Sequence, residues 1–270
     1  RGIAQVNVQT LNIAEAKAAA DKAEYYLTSC SSNTRLELVL ALAEVRIHMG
    51  QEEAARQLVH KELEFHPQHT ELRAILARIA FIQGNWYATQ EAVEAVFETI
   101  QAEGATDENL AWLQTMSTQS YIMEHLAFPD SIQVALDLAL KKLPLDQQIK
   151  HHQDVLNILQ SESSLALEAL AWAKTTRSLI PRDHDEAYAV ASLELATCAV
   201  RASAPSLAML AYHDALKGAQ NAGNNWLYAE ALRQHAGFYA SQNDLTQALA
   251  SYQTLDSVNL AIASHYINQD

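Results

Sequence analysis

Apolar residues return every three or four positions through most of this chain, the period of helices that bury one face. From about Leu11 to Ser29, the positions Ile13, Ala16, Ala20, Ala23, Tyr26 and Leu27 keep that spacing and predict a first helix. The polar run Cys30-Ser31-Ser32-Asn33-Thr34 interrupts it, with Asn33 or Thr34 placed to cap the next helix. Leu36, Val39, Leu42, Ala43 and Val45 then predict one helix, and Ala54, Ala55, Leu58, Val59 and Leu63 a second. Gly50 falls at the turn between them and Pro67 just past the end, where each residue suits a helix boundary. The pair returns after 34 residues: Leu42-Ala43 reappears as Leu76-Ala77, Gly50 as Gly84 and Glu37 as Glu71, and Leu110-Ala111 continues the register.

Further along, the helical pairing outlasts the repeat. Residues 102–106 read as a short linker, after which pairs are predicted over 107–124 with 129–142, 146–159 with 163–179, 185–201 with 205–219, and 226–240 with 245–255. Pro144, Pro181 and Pro205 sit at predicted boundaries, as residues that break helices should. Residues 256–268 are read as an unpaired last helix covering the open face of the final pair, and 1–10 as a lead-in. Prolines recur too often for sustained coiled-coil heptads.

A 34-residue period made of two amphipathic helices resembles the tetratricopeptide repeat (TPR) family. Leu42 and Ala43 match its leucine and small residue in the first helix, Gly50 its turn, Ala55 its small residue in the second helix and Pro67 its closing proline. Gly84-Asn85-Trp86 resembles the family's glycine–amide–aromatic turn, and Ala236, Tyr239, Ala248 and Tyr252 fall at family positions near the end. The chain departs at Arg46, where the family usually has tyrosine, and at Glu62 and Thr89, where it usually has alanine. The resemblance implies an all-α, right-handed α-α superhelix (a TPR-like solenoid) of about six helix pairs plus a C-terminal capping helix. Its expected organisation is an N-terminal helix over 1–33, the remnant of a preceding repeat, then a superhelical domain over 34–270. The pairs of that domain are 34–67, 70–101, 107–142, 146–179, 185–219 and 226–255, with 256–268 as the cap.

Composition agrees with an all-α chain. Hydrophobic residues make up 49% but aromatics only 7%, and seven Gly with five Pro are too few for a fold rich in tight β-turns. Acidic residues outnumber basic ones by 32 to 18, a net charge of −14. That sign disfavours direct binding to nucleic acid or to an anionic membrane surface, and favours a basic or amphipathic partner. No apolar run is long enough to span a membrane and no basic-then-apolar leader opens the chain, so the expected setting is cytoplasmic. The start at Arg1 is read as that of a piece of a larger protein. Cys30 and Cys198 are far apart in helical context and read as free thiols.

No catalytic, metal or cofactor pattern emerges, and the chain is read as a non-enzyme without cofactor. His60, His66 and His69 cluster near a helix end and His151-His152 are adjacent, but none has the spacing of a helical metal pair with a third ligand. Asp183-His184-Asp185-Glu186 follows Pro181 and reads as a helix start, its acids on the dipole. In the family, the first helix of each pair lines the concave wall. The resemblance therefore places Glu37, Leu40, Glu44 and Ile47 of the first unit on a partner-binding face, with Glu71, Ala74, Arg78 and Phe81 of the second. It adds Glu108, Trp112 and Met116 of the third unit and Glu230 and Arg233 of the sixth. Leu40 and Glu44 stand where a carboxylate-gripping member would carry Lys and Asn, so that ligand class is disfavoured. The expected function is a protein–protein interaction module, the partner-binding or regulatory region of a signalling or transcription-regulating protein. Two alternatives are an envelope or secretion scaffold and a helical-repeat regulator with phosphatase-like activity. Homodimerisation through helical edges is compatible with the sequence.

Overall fold

The computed structural model describes residues 13–29, 31–103 and 107–267. Among these, thirteen α-helices and two short 3-10 turns occur and no strand. The helices are α1 (Ile13–Tyr25), α2 (Ser32–His48), α3 (Glu52–Leu63), α4 (Thr70–Ile82), α5 (Trp86–Glu103), α6 (Asp107–His125) and α7 (Asp130–Leu140). They continue with α8 (Leu145–Ser161), α9 (Ala166–Leu179), α10 (Asp185–Arg201), α11 (Pro205–Asn221), α12 (Asn225–Ser241) and α13 (Leu245–Ile267). Each helix packs chiefly on its neighbours in the chain, and first helices of successive pairs also meet: α2 on α4, α4 on α6, α10 on α12. This nearest-neighbour pattern is that of a helical repeat array. The chain divides into two compact units, one holding α1–α7 and the other Leu126–Phe128 with α8–α13.

One turn design recurs. Gly50 and Gly84 both take φ +69°, and Gly223 takes +65°, the left-handed conformation that ends a helix without a Cβ clash. The residue after each reaches back five positions: Gln51 N–H donates to the Arg46 carbonyl, Asn85 to Ala80 and Asn224 to Ala219. Ser203 and Asn243 fill the same left-handed slot, with Ala204 and Asp244 making the corresponding bonds. Asn85, Asn224 and Asp244 then cap the next helix through their side chains, accepting from Ala88, Leu227 and Gln247 N–H. One residue stops a helix and the next starts another, so the connection is very short.

Several boundaries differ from expectation. α1 ends at Tyr25, and Tyr26–Ser29 tightens into a 3-10 turn in place of a last α-turn. Cys30 lies outside the described residues. α2 starts at Ser32, ahead of the expected Asn33 or Thr34 cap; Ser31 Oγ pairs with Thr34 Oγ1 at 2.9 Å and caps no backbone group. α5 runs on to Glu103, through the start of the expected linker, whose residues 104–106 are outside the described set. The stretch from Ser163 opens as a 3-10 turn before α9. The expected separate capping helix from Asp256 is instead the second half of α13, because no Gly or Pro interrupts that helix; Asn268 lies outside the described residues.

In the first unit, Val39, Ala43 and Ile47 of α2 meet Ala55 and Val59 of α3 and Leu72, Ile75 and Ile79 of α4. A second cluster joins Ala77 of α4, Val93 and Val96 of α5, and Leu113 and Met116 of α6. In the second unit, α10 and α11 pack closely at Gly218. A Cβ added there would lie 2.9 Å from the Asp185 carbonyl oxygen and 3.0 Å from Ala189 Cβ. Gly218→Ala is therefore expected to destabilise by about 1–3 kcal/mol despite alanine's better helix propensity, since backbone must move. A chemical-denaturation midpoint that rises in this variant would show that the two helices are not packed this closely.

Candidate partner-binding face

The first helices of the first unit carry most of the residues that sequence reasoning selects. Glu37 on α2 and Glu71 on α4 are exposed, the latter in the helix's first turn, where an acid is favoured by the dipole. Glu44 does not stand free: its Oε2 accepts from Arg78 Nη1 at 2.5 Å. The two residues are 34 apart, the same position of successive repeats, so the pair ties α2 to α4 and cancels one acid of the expected wall. Leu40, Ala74 and Trp112 are half-buried and pack against the clusters beneath. Phe81 is half-buried too, edge-on to Trp86 with centroids 5.5 Å apart. Ile47 and Met116 are corrections: at 6% and 4% exposure they belong to the core. Helices on both sides cover their offsets, so they offer no surface to a partner. The side chain of Glu108 lies outside the described residues.

The departures from the family pattern prove to be paired. Glu62, buried to 1%, accepts from Arg35 Nε at 2.8 Å. Arg46 donates to Gln51 Oε1 at 2.8 Å and to Asp21 and Glu24 of α1, fastening that helix to α2. Thr89 is buried and donates its hydroxyl to the Asn85 carbonyl at 2.9 Å. His66 Nε2 lies 3.6 Å from Glu62, and the His66 and His69 rings are 6.5 Å apart.

The second unit presents a polar row across three first helices. Gln160 of α8 donates to Cys198 Sγ of α10 at 3.1 Å, and Arg201 donates to the Gln160 carbonyl. Thr197 of α10 donates to Gln234 Oε1 of α12 at 3.0 Å, and Gln234 donates onward to Glu230 at 2.8 Å. Glu230 also accepts from Arg233 through two nitrogens, and that bond holds its carboxyl below the usual range. The sequence marks Glu230 and Arg233 as independent contacts; the structure joins them in one pair.

Sequence reasoning missed Glu194. It lies on α10 beside this row, half-buried, and its Oε2 has no hydrogen-bond partner. Burial pushes its pKa up to about 7. A signal exists in the sequence: an acid between Leu193 and Leu195 in a stretch, Val190–Val200, otherwise free of charge. The adjacent Asp185 and Glu186 do mark a helix start, and they also accept from Asn221 and Asn224 across the α11–α12 turn.

Buried histidines shape the pH response of this unit. Burial, with a neighbouring histidine as the second cause, lowers both His152 and His235 to about 4. Both folded values lie below the ordinary 6.5, so their stabilising contribution is full above about pH 6.5 and is lost as pH falls toward 4. Glu194 has the opposite sign: raised above 4.5, it contributes most below pH 4.5 and loses that contribution as pH rises to 7. Glu194→Gln should therefore match the native chain near pH 4.5 and exceed it by about 3 kcal/mol at pH 8. Urea unfolding at the two pH values checks this; equal stability at pH 8 would mean the carboxylate is well solvated.

No protein-family model matches the chain, and no curated protein is significantly similar to it. Solved structures are similar. The apo form of RapI superposes with a TM-score of 0.63 at 11% identity, covering 94% of this chain and 74% of that one. The apo form of the quorum sensor NprR from B. thuringiensis superposes with a TM-score of 0.53 at 11% identity, covering 94% and 85%. The chain has the TPR-like helical-repeat fold. No helix among the described residues is long and apolar enough to cross a membrane.

Proposed function

We propose that this chain is a non-catalytic, cytoplasmic interaction module, the partner-binding or regulatory region of a signalling or transcription-regulating protein. It binds a basic or amphipathic protein segment along the first helices of its pairs. The observation that carries the reading is the polar character of those helices. Glu37, Glu71 and the Glu44–Arg78 pair in the first unit, and the row from Gln160 to Arg233 in the second, keep polar groups on helices otherwise committed to close packing. Leu40, Ala74, Phe81 and Trp112 add half-buried apolar surface suited to the other side of an amphipathic segment. Similarity in fold to a quorum sensor adds the precedent of a regulatory role for this architecture.

Site-specific photo-crosslinking in native lysate tests the reading. A crosslinker at Trp112 or Gln234, on first helices, should capture a discrete partner, whereas one at exposed Gln57 on α3 should not. The charge reversal Glu37→Lys/Glu71→Lys should weaken capture at Trp112 and leave the fold intact. Equal capture from Gln57, or capture indifferent to charge reversal, would place binding on another surface.

A further inference from the structure

The acids singled out by sequence do not all remain available to a cation. Glu44 is matched by Arg78 and Glu230 by Arg233. Glu194 is different: its Oε2 has no hydrogen-bond partner, and the titratable group in electrostatic contact with it is the thiol of Cys198, which carries no charge to offset it. The charged groups of the helices packed on α10 are engaged elsewhere. Arg177 of α9 donates to Asp214 of α11 and to Tyr188, and Lys174 of α9 and Lys217 of α11 are exposed. On α12, Glu230 and Arg233 bond each other, while His235 meets Ser251 and His213. On α10 itself, Arg201 is held by the Gln160 carbonyl, and Asp185 and Glu186 face α11 and the α11–α12 turn.

A carboxylate removed from water without a counter-charge is unstable in its ionised form, and the protein supplies no remedy. It stands beside the Thr197–Gln234–Glu230 row, whose members bond one another while Glu194 Oε2 has no partner. We propose that the Glu194 carboxylate receives a cation carried by the bound segment: a lysine ammonium, an arginine guanidinium or a free amino terminus. This rests on the interaction-module reading and assigns to it the residue that reads a positive charge. The raised pKa then links binding to pH. The free carboxyl is largely ionised at pH 8, and below about 7 it takes up a proton that the incoming cation must displace, so affinity falls by up to tenfold per pH unit.

An equimolar pool of random nonapeptides, applied to the immobilised chain and read by mass spectrometry after washing, tests the assignment. At pH 8 the native chain should enrich Lys, Arg or a free amino terminus at one position by about tenfold or more, the scale of a charge pair at a partly desolvated site. Glu194→Gln should retain peptides without that preference, and the native chain at pH 5.5 should behave like it. Thr197→Ala/Gln234→Ala should lower total retention while keeping the preference. An identical basic preference in Glu194→Gln, or none in the native chain, overturns the assignment and leaves the interaction module standing. Retention by neither chain overturns both. Thermal unfolding of each variant confirms that the fold is retained.

Discussion

Replacing Arg35 by alanine is expected to destabilise the first unit by about 3 kcal/mol. Glu62 sits at a position where the repeat pattern calls for alanine, and its side chain is 2% exposed. Its charge is tolerable because Arg35 Nε donates to it at 2.8 Å from the facing helix α2. Removing the guanidinium leaves a buried carboxylate without its partner, a loss that typically costs about 3–5 kcal/mol. The lower figure applies because Arg35 is itself 26% exposed and His66 lies nearby, 3.6 Å from the same carboxyl. Arg35 also covers the ring of Phe65, centred 4.8 Å away, so part of the loss is packing. Two further results separate charge from packing. Arg35→Met/Glu62→Met should recover most of the stability, because two apolar side chains leave no charge unmatched. Arg35→Met alone should still lose most of the stability, because it keeps an apolar stem over Phe65 and leaves the carboxylate unpaired. A urea midpoint for Arg35→Ala within about 0.5 kcal/mol of the native chain would mean that the pair contributes little.

Trp172→Ala should cost about 4 kcal/mol in the second unit, the range for deleting a large buried aromatic side chain. Trp172 is 1% exposed, and its ring lies parallel to His152 at 4.4 Å and edge-on to Phe128 at 5.1 Å. Its indole N–H donates to the His152 carbonyl at 3.0 Å, so truncation opens a cavity and removes a buried hydrogen bond together. Trp172→Phe keeps a ring in the stack and loses the donor, and about half the cost is expected. A second readout is independent of the unfolding curve. His152 is held near 4 by burial, so opening the space beside it should move its titration back toward the ordinary histidine range, visible in its ring proton shifts. If His152 still titrates near 4 in Trp172→Ala, the ring is not what keeps water from it.

The Glu194→Gln comparison bears on function as well as on stability. A side chain that lowers stability at pH 8 and whose amide replacement would raise it is the kind of residue expected where a site must stay ready for a ligand. Ser192 Oγ and His235 Nε2, also buried without hydrogen-bond partners, lie in the same unit.

Legibility differs from residue to residue. Gly50 and Gly84 announce their turns because left-handed backbone favours glycine. Ser203 and Asn243 occupy the same conformation without that signature, and only the geometry reveals that five turns share one design. Pro205 marks the start of α11 correctly, since its ring suits the first helical position. Asp256 reads as a beginning because acids favour helix starts, yet without a breaker before it the helix simply continues. The candidate face is legible in outline and not in detail. Glu37 and Glu71 are exposed as expected, whereas Ile47 and Met116 turn into the core.

The sequence by itself determined the helices, their pairing and the repeat, because these follow from local physics: a 3.6-residue period, a left-handed turn residue, a proline that cannot continue a helix. Tertiary structure alone decided which polar residues on different helices find each other. Arg35 finds Glu62 across 27 positions, Glu44 finds Arg78 across 34, and Arg177 finds Asp214 across 37. Each of these meetings depends on how one helix is rotated against the next, which no single helix's pattern encodes. The same rotations turn Ile47 inward and leave the carboxylate of Glu194 without a mate.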